Sequence, residues 1–355
     1  MTNTTKHSDT TLSQTEKLSV LIVTWNGDDL LKNCLESVSK VYGESLEIIV
    51  VDNANLRSTK EIVTSYKNAK YIPSETNLGF AGGNNLGLPF CTRKYVLLLN
   101  NDTIIHEDSF GPLIEYMEVH PEVAVTQGRM RLVKSGNVLD ECGVMLTPTG
   151  ILYDAYMMLD DSTPTPTRPV HSVKGAMMMI RKETISRVGG LFYDHFHCNY
   201  EEKDFCHRIW LGGYEVHYVN TPAIDHLQSQ TIARFNHIEI LGKTLANNLF
   251  SLATTLKLSN ACKMIFLLLL LHLSVSCFTS LKGRFEGFAI FARAAKSLWI
   301  RRDKLIATRK AIHTIRKCPD KSLFAKIMVR PKKSYYYHYF KGDLDKMPKE
   351  KRIMI

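Results

Sequence analysis

The chain has 355 residues, 45% of them hydrophobic and 9% aromatic, which suits a folded globular protein and excludes a fibrous or wholly disordered one. Its net charge of +10 is uneven: residues 282–333 hold 16 Lys/Arg against 3 Asp/Glu, residues 334–355 add a net +2, and the first 281 residues are mildly acidic. The 8 cysteines form no C-x-x-C pair, which argues against a zinc ribbon or a redox motif.

Residues 1–17 are polar and Ser/Thr-rich and are expected to be a disordered tail; they carry no secretory signal pattern, so a reducing cytoplasm fits best. Leu18–Val23 reads as a buried strand ending in Thr24-Trp25-Asn26-Gly27. Asp28–Val41 has helical spacing, with Leu30, Leu31, Cys34, Leu35 and Val38 on one face. Leu46–Val51 is a second strand, ending in Asp52-Asn53. Ile62–Tyr66 belongs to a short helix, Lys70–Ile72 to a short strand, and Gly82–Leu88 opens another helix. Tyr95–Leu99 is a third continuous apolar strand, stopped by Asn100-Asn101-Asp102. This alternation predicts an α/β fold with a mostly parallel sheet flanked by helices.

Beyond Val123 the pattern changes. Val138–Leu152 reads as a hairpin region and residues 160–169 as a loop. Val173–Ile180 is a strand, Glu183–Val188 a short helix, Tyr200–Leu211 a helix stopped by Gly212-Gly213, and Glu215–Val219 a strand. Met264–Leu281 holds 18 residues with no Lys, Arg, Asp or Glu, and the strongly basic stretch follows it directly. It is near the lower length for spanning a bilayer. A buried appendage helix is the other reading. Phe285, Phe288, Ile290, Phe291, Leu298 and Trp299, interleaved with Arg and Lys, look like an interfacial amphipathic helix. An anionic membrane surface is therefore a better partner for the basic stretch than nucleic acid.

Ligands of parallel sheets bind at the carboxyl ends of the strands. Three strands here end in TWNG, DNAN and NNDT, which makes one polar edge. Asp52 could accept a hydrogen bond from a nucleoside or cap the turn that follows it. The glycines of NLGFAGGNNLG (77–87) allow close backbone approach to a nucleotide or sugar, or an ordinary tight turn. It is neither G-x-G-x-x-G nor a P-loop. Asp102, flanked by amides, suits a hard cation such as Mg2+ or Mn2+, with His226 as a candidate second ligand or a plain surface histidine. Glu201, Glu202 and Asp204 crowd the start of a helix; capping accounts for one, and a general base is the natural role for another.

In this order the motifs SVLIVTWNG (19–27), VVDNAN (50–55), NLGFAGGNNLG (77–87), LLLNNDT (97–103), KGAMMMIRKETISRVGGL (174–191) and NYEEKDFCHR (199–208) resemble the family 2 glycosyltransferases, which have the GT-A fold. The resemblance is nearest to the rhamnosyltransferase-like enzymes of bacterial surface-polysaccharide assembly. It implies an inverting, metal-dependent transfer of a sugar, with rhamnose the first candidate, from a dTDP- or UDP-sugar to a lipid-linked or growing glycan acceptor. Thr24, Asn26, Asp52, Asn53, Asn77, Gly79, Asn100, Asn101 and Asp102 would bind the nucleotide and donor. Gly175, Glu201 and Asp204 would line the donor and acceptor pocket. Asp102 and His226 would hold Mg2+ or Mn2+. The catalytic base maps to Glu202, where the family usually has Asp. Implied domains are a GT-A catalytic domain over 18–250 and a helical, membrane-associating region over 251–355. The place implied is the cytoplasmic face of the membrane, with 264–281 as anchor or peripheral contact. The alternatives are a non-catalytic membrane scaffold of the same fold and a sugar-1-phosphate nucleotidylyltransferase. The second wants a basic glycine-rich loop after the first strand, and TWNGDDLL has no basic residue.

Overall fold

The computed structural model describes residues 14–196, 199–227 and 237–341. The first half alternates as expected: β1 (Leu18–Thr24), α1 (Asp28–Tyr42), β2 (Glu47–Asp52), α2 (Arg57–Thr64), β3 (Ala69–Pro73), α3 (Gly79–Gly87), β4 (Tyr95–Asn100), β5 (Thr103–Ile104) and α4 (Gly111–Val119). Short strands follow: β6 (Val123–Gln127), β7 (Met130–Leu132), β8 (Val138–Leu139), β9 (Val144–Leu146), β10 (Leu152–Asp154), β11 (Arg168–Pro169) and β12 (Met177–Arg181). Next come α5 (Lys182–Arg187), α6 (Glu201–Leu211), β13 (Glu215–Tyr218) and β14 (Ile224–His226). The rest is helical: α7 (His237–Thr255), α8 (Leu258–Ser280), α9 (Glu286–Ile300), α10 (Arg302–Ile315), α11 (Asp320–Ile327) and α12 (Lys333–Lys341).

The main sheet has eight strands in the order β11-β13-β6-β12-β4-β1-β2-β3. β4, β1, β2 and β3 are mutually parallel, while β12 enters antiparallel to both β4 and β6. The continuous apolar runs are explained by burial on both faces. Leu21, Ile49, Val51, Val96 and Leu98 face one core cluster; Val20, Ile22, Ile48, Val50, Leu97 and Leu99 face the other. Each such side chain contributes about 1.5–3 kcal/mol on burial. Helix α3 lies close on β1 and β2 because its glycines leave room: a Cβ on Gly83 would stand 2.7 Å from Val23, and one on Gly87 2.3 Å from Leu21.

Several boundaries differ from those read in the sequence. The 138–152 hairpin divides: β8 pairs with β7, and β9 pairs with β10. The strand placed at 173–180 starts only at Met177, because the Lys174 N–H is held by the Gln127 side chain at 2.7 Å. The 160–169 loop ends in β11, an edge strand that tolerates Pro169.

The helices after Thr255 are not a separate bundle. Met264, Leu268, Leu323, Ile327 and Tyr335 join the core cluster that covers one face of the sheet. The Val329 N–H reaches the Leu146 carbonyl at 2.9 Å, and the Tyr335 hydroxyl reaches the Leu152 carbonyl at 2.6 Å.

Candidate active site

Register places the three polar strand ends side by side. Thr24 pairs with Asp52 and Val23 with Asn100. The Asn101 side-chain amide donates to Thr24 Oγ1 at 2.9 Å, tying the first and third ends together. Asn26 is exposed with φ +51°, so the chain turns back sharply after Trp25. A Cβ on Gly27 would meet the Asn101 side-chain amide at 2.8 Å, so a larger residue there would have to shift that amide. Asp52 is fully buried, and its partners are those of a turn cap: the Ala54 N–H at 2.9 Å, the Leu56 N–H at 2.7 Å and the Tyr71 hydroxyl at 3.0 Å. Oδ1 takes only one of the three, so a carboxylate acceptor position remains on it for a nucleoside contact. Asn53 donates to the Gly79 carbonyl at 3.0 Å. Asn77 is exposed and accepts from the Gly79 N–H at 2.9 Å, an Asx turn that starts α3 at a glycine with φ +70°. Gly175 is buried under the Phe80 ring, which a Cβ would approach to 2.7 Å.

A second sheet, in the order β5-β14-β7-β8, builds the deeper part of the site. β5 follows Asp102 directly, and β14 pairs with it so that His226 faces Thr103; the Leu227 N–H closes the pair on the Asp102 carbonyl at 2.9 Å. His226 Nε2 then lies 3.5 Å from Asp102 Oδ1. The β7–β8 hairpin brings Asp140 to the other side of the ring, where Oδ2 is 2.7 Å from His226 Nδ1. Asp140 is itself held by Lys174 Nζ at 2.7 Å. Burial alone would lower the His226 pKa, but hydrogen bonds to Asp102 and Asp140 and their charges outweigh it and raise it to about 9. Burial would raise Asp140; the Lys174 charge and His226 instead hold it well below the usual carboxylate range. The site thus favours a positive charge beside Asp102.

Helix α6 supplies the acids. Two non-glycine residues with positive φ, Asn199 at +66° and Tyr200 at +83°, lead into it. Such backbone persists only where its surroundings impose it; here Asn247 donates to the Asn199 carbonyl at 2.8 Å and the Tyr200 hydroxyl to Asn248 at 2.8 Å. Glu201, Glu202 and Asp204 are all buried. Burial, with the neighbouring Glu202 charge, pushes Glu201 up to about 8. Glu202 Oε1 accepts from Lys203 Nζ at 2.5 Å, and its Oε2 is unpartnered within the protein. Asp204 differs from these two. Its Oδ2 pairs at 2.9 Å with the buried Arg208, which also grips the Val188 and Gly190 carbonyls. This ion pair ties α6 to the loop after α5, while Asp204 Oδ1, like Glu201 Oε2 and Glu202 Oε2, is buried with no partner within the protein.

Sequence reasoning missed Asp140, Glu141 and Lys174. Burial pushes Glu141 up to about 7, against the opposing charge of Lys174 and with Asp154 and Lys203 also in range. It follows Asp140 directly in the chain, and its N–H donates to Asp140 Oδ1 at 2.7 Å. The available signal was two adjacent acids in an otherwise apolar stretch, VLDECGVML (138–146).

Among the described residues no group of three or more His, Cys, Asp or Glu side chains is arranged to hold a metal ion. The pair Asp102 and His226 nevertheless fits a divalent cation as two adjacent ligands. Ligands about 2.1 Å from one octahedral ion stand roughly 3 Å apart, and the observed 3.5 Å is close to that. His226 also makes the outer contact typical of a metal-ligating imidazole, its far nitrogen on a carboxylate. The remaining positions suit diphosphate oxygens and water.

Comparison with known proteins bears on the family and the fold. Residues 19–184 match the model of glycosyl transferase family 2. The chain is 28% identical over 216 residues to the low-salt glycan biosynthesis hexosyltransferase Agl10 of Haloferax volcanii, covering 58% of this chain and 64% of that one. It is 28% identical over 217 residues to the rhamnosyltransferase WbbL of Escherichia coli, covering 56% and 79%. It is 24% identical over 179 residues to a poly-beta-1,6-N-acetyl-D-glucosamine synthase of Staphylococcus epidermidis, covering 50% and 42%. The chain thus spans less than two thirds of the length of the first and third of these relatives. Among solved structures, S. aureus TarS has a TM-score of 0.56 at 17% identity, covering 84% of this chain and 52% of that one. The mannosyltransferase PcManGT from Pyrobaculum calidifontis, in complex with GDP-Man and Mn2+, has a TM-score of 0.51 at 14% identity, covering 92% and 83%. At these identities the structural likeness concerns the fold.

Proposed function

This chain carries a family 2 glycosyltransferase domain with the GT-A fold, and on that footing we propose that it transfers a sugar, with inversion, from a nucleoside-diphosphate sugar to a hydroxyl of a lipid-linked or growing glycan. The observation that carries the reading is the pairing of β14 with β5, which sets His226 beside Asp102 at the edge shared by Thr24, Asn101 and the Asn77–Gly79 turn.

Thr24, Asn26, Asn53, Asn100 and Asn101 line the nucleotide side of this edge. Glu202 is the base. Its Oε2 is unpartnered within the protein, and Lys203 fixes its other oxygen. In the transfer the acceptor oxygen attacks the anomeric carbon from the face opposite the diphosphate. The bond from that carbon to the diphosphate oxygen breaks, and Glu202 takes the hydroxyl proton. One displacement inverts the configuration. Charge on the departing diphosphate is neutralised by Mg2+ or Mn2+ when either is held at Asp102 and His226. Asp140 and Lys174 orient the imidazole from behind. Rhamnose as first candidate sugar follows the likeness to the rhamnosyltransferase WbbL; the donor is proposed to be dTDP- or UDP-linked, and the cytoplasmic membrane face is where a lipid-linked acceptor would be met.

The test is a panel of UDP-, dTDP- and GDP-sugars in thermal-shift and nucleotide-release assays, with and without Mn2+. At least one donor should give an Mn2+-dependent shift that Asp102→Ala abolishes. Wild-type turnover retained in both Asp102→Ala and Glu202→Gln would overturn the site assignment. Donor binding with no turnover under any condition would identify a scaffold.

A further inference from the structure

Helix α8 is long and apolar enough to cross a membrane: 23 residues, with a mean hydropathy of 2.1 over its most apolar window. At 1.5 Å per residue it is about 35 Å long, close to the hydrocarbon thickness of a bilayer. Its packing says otherwise. One face is committed to the protein: Ala261, Met264 and Leu268 are buried in the core that also takes Leu252 and Leu256. Farther along, the His272 ring stands edge-on to Phe291 and Phe340 at 6.0 and 4.9 Å. Ser276 is buried against Gly287, where a Cβ would come within 2.2 Å of the serine oxygen, so α8 and α9 cross too closely there to separate without loss.

The opposite face is bare. Phe266, Leu270 and Leu273 are 64%, 47% and 46% exposed and recur at helical spacing. The turn into α9 continues the patch with Phe278, Leu281, Phe285 and Phe288, of which Leu281 is 86% exposed. Cations sit among these rings. Lys282 Nζ lies 4.7 Å from the centre of the Phe278 ring, and Arg302 lies 4.9 Å from that of the exposed Trp299. Lys282, Arg284, Arg293 and Lys296 are all exposed, against Glu286 alone between residues 282 and 302. Apolar rings flanked by Lys and Arg, with Trp at the margin, match the boundary between acyl chains and anionic headgroups.

We propose that the exposed face of α8 and its turn into α9 lies in the surface of an anionic lipid bilayer, so that the protein is a monotopic guest and α8 does not span. The partner is the lipid headgroup layer itself. This rests on the reading of the acceptor as lipid-linked, and it places the catalytic domain against the surface that holds such an acceptor.

The test uses the full chain with vesicles of phosphatidylcholine alone and of phosphatidylcholine mixed with phosphatidylglycerol. Wild type should sediment with the mixed vesicles, be released by high salt, and be extracted by alkaline carbonate. The variants Phe278→Asp/Phe285→Asp and Lys282→Glu/Arg284→Glu should each lower partition by about tenfold or more. Both pairs are exposed, so donor-sugar turnover without vesicles should stay at the wild-type level and reports that they fold. Equal binding to neutral vesicles, no effect of the charge reversal, or resistance to carbonate would each overturn the proposal. Absence of donor turnover in wild type would count against the enzymatic reading and leave the vesicle result standing.

Discussion

Asp140→Asn is the sharpest perturbation of the site. The side chain is fully buried and the change keeps its shape, so the effect is one of charge and hydrogen bonding. Asp140 accepts from three donors: Lys174 Nζ at 2.7 Å, His226 Nδ1 at 2.7 Å and the Glu141 N–H at 2.7 Å. An asparagine has one acceptor oxygen. If that oxygen stays with Lys174 and the Glu141 N–H, the amide NH2 faces His226 Nδ1 and drives the imidazole proton to Nε2, the atom that faces Asp102. A cation ligand is then lost. If the oxygen turns to His226, the NH2 faces an ammonium. Losing one charge-assisted bond costs about 1.5–3 kcal/mol. The Lys174 side chain is 24% exposed, so water softens the cost of its lost partner, and about 2–4 kcal/mol of stability is the expected total. The metal-dependent step should suffer separately, with Mn2+ affinity falling about 10–100-fold. Thermal melting without metal reads the first effect, and calorimetric titration of Mn2+ into protein with nucleoside diphosphate reads the second. Unchanged melting together with unchanged Mn2+ affinity would refute the claim that Asp140 holds His226.

Glu201→Gln should stabilise the protein in a pH-dependent way. The folded pKa of about 8 lies above the ordinary 4.5, so the folded state holds this proton more tightly and is penalised as pH rises between those values. The gain in stability, read from thermal melting, should be near zero at pH 4.5, grow up to pH 8 and then level, reaching at most about 5 kcal/mol; a pH-independent gain would contradict this. Glu202→Gln should lower kcat by about 100- to 10,000-fold with donor binding retained, read as transfer rate against thermal shift with the donor. Gly87→Ala should cost about 1–3 kcal/mol in urea unfolding, since its Cβ would stand 2.3 Å from Leu21 and 2.7 Å from Val51; an unchanged midpoint would mean that α3 is not pressed on the sheet.

The parallel half of the sheet was legible because β1, β2 and β4 are buried on both faces, which leaves continuous apolar runs with polar ends. The shared edge followed from those ends. The contact of His226 with Asp102 did not show in local pattern, because β14 and β5 have three and two residues and carry no periodicity; the need of Asp102 for a second ligand made His226 a candidate, and the family resemblance favoured it over a plain surface histidine. Asp140 was hidden for the same reason, at the end of the two-residue β8. Asp52 illustrates the opposite case: a strand-end carboxylate fits both a ligand and a cap, and its three internal partners are those of the cap. For the C-terminal helices, composition announced apolar and basic character. It did not show that Leu323, Ile327 and Tyr335 return to the core of the sheet.

The central claim is that the Asp102–His226 pair and Glu202 carry out sugar transfer. The most direct measurement incubates purified wild type, Asp102→Ala and Glu202→Gln with labelled donor sugars, Mn2+ and lipid-linked glycan acceptors, and follows label into the glycan and its anomeric configuration by NMR. The account predicts transfer with inversion by wild type and loss of transfer in both variants, with their folds intact. Transfer with retained configuration, or transfer undiminished in both variants, would contradict it.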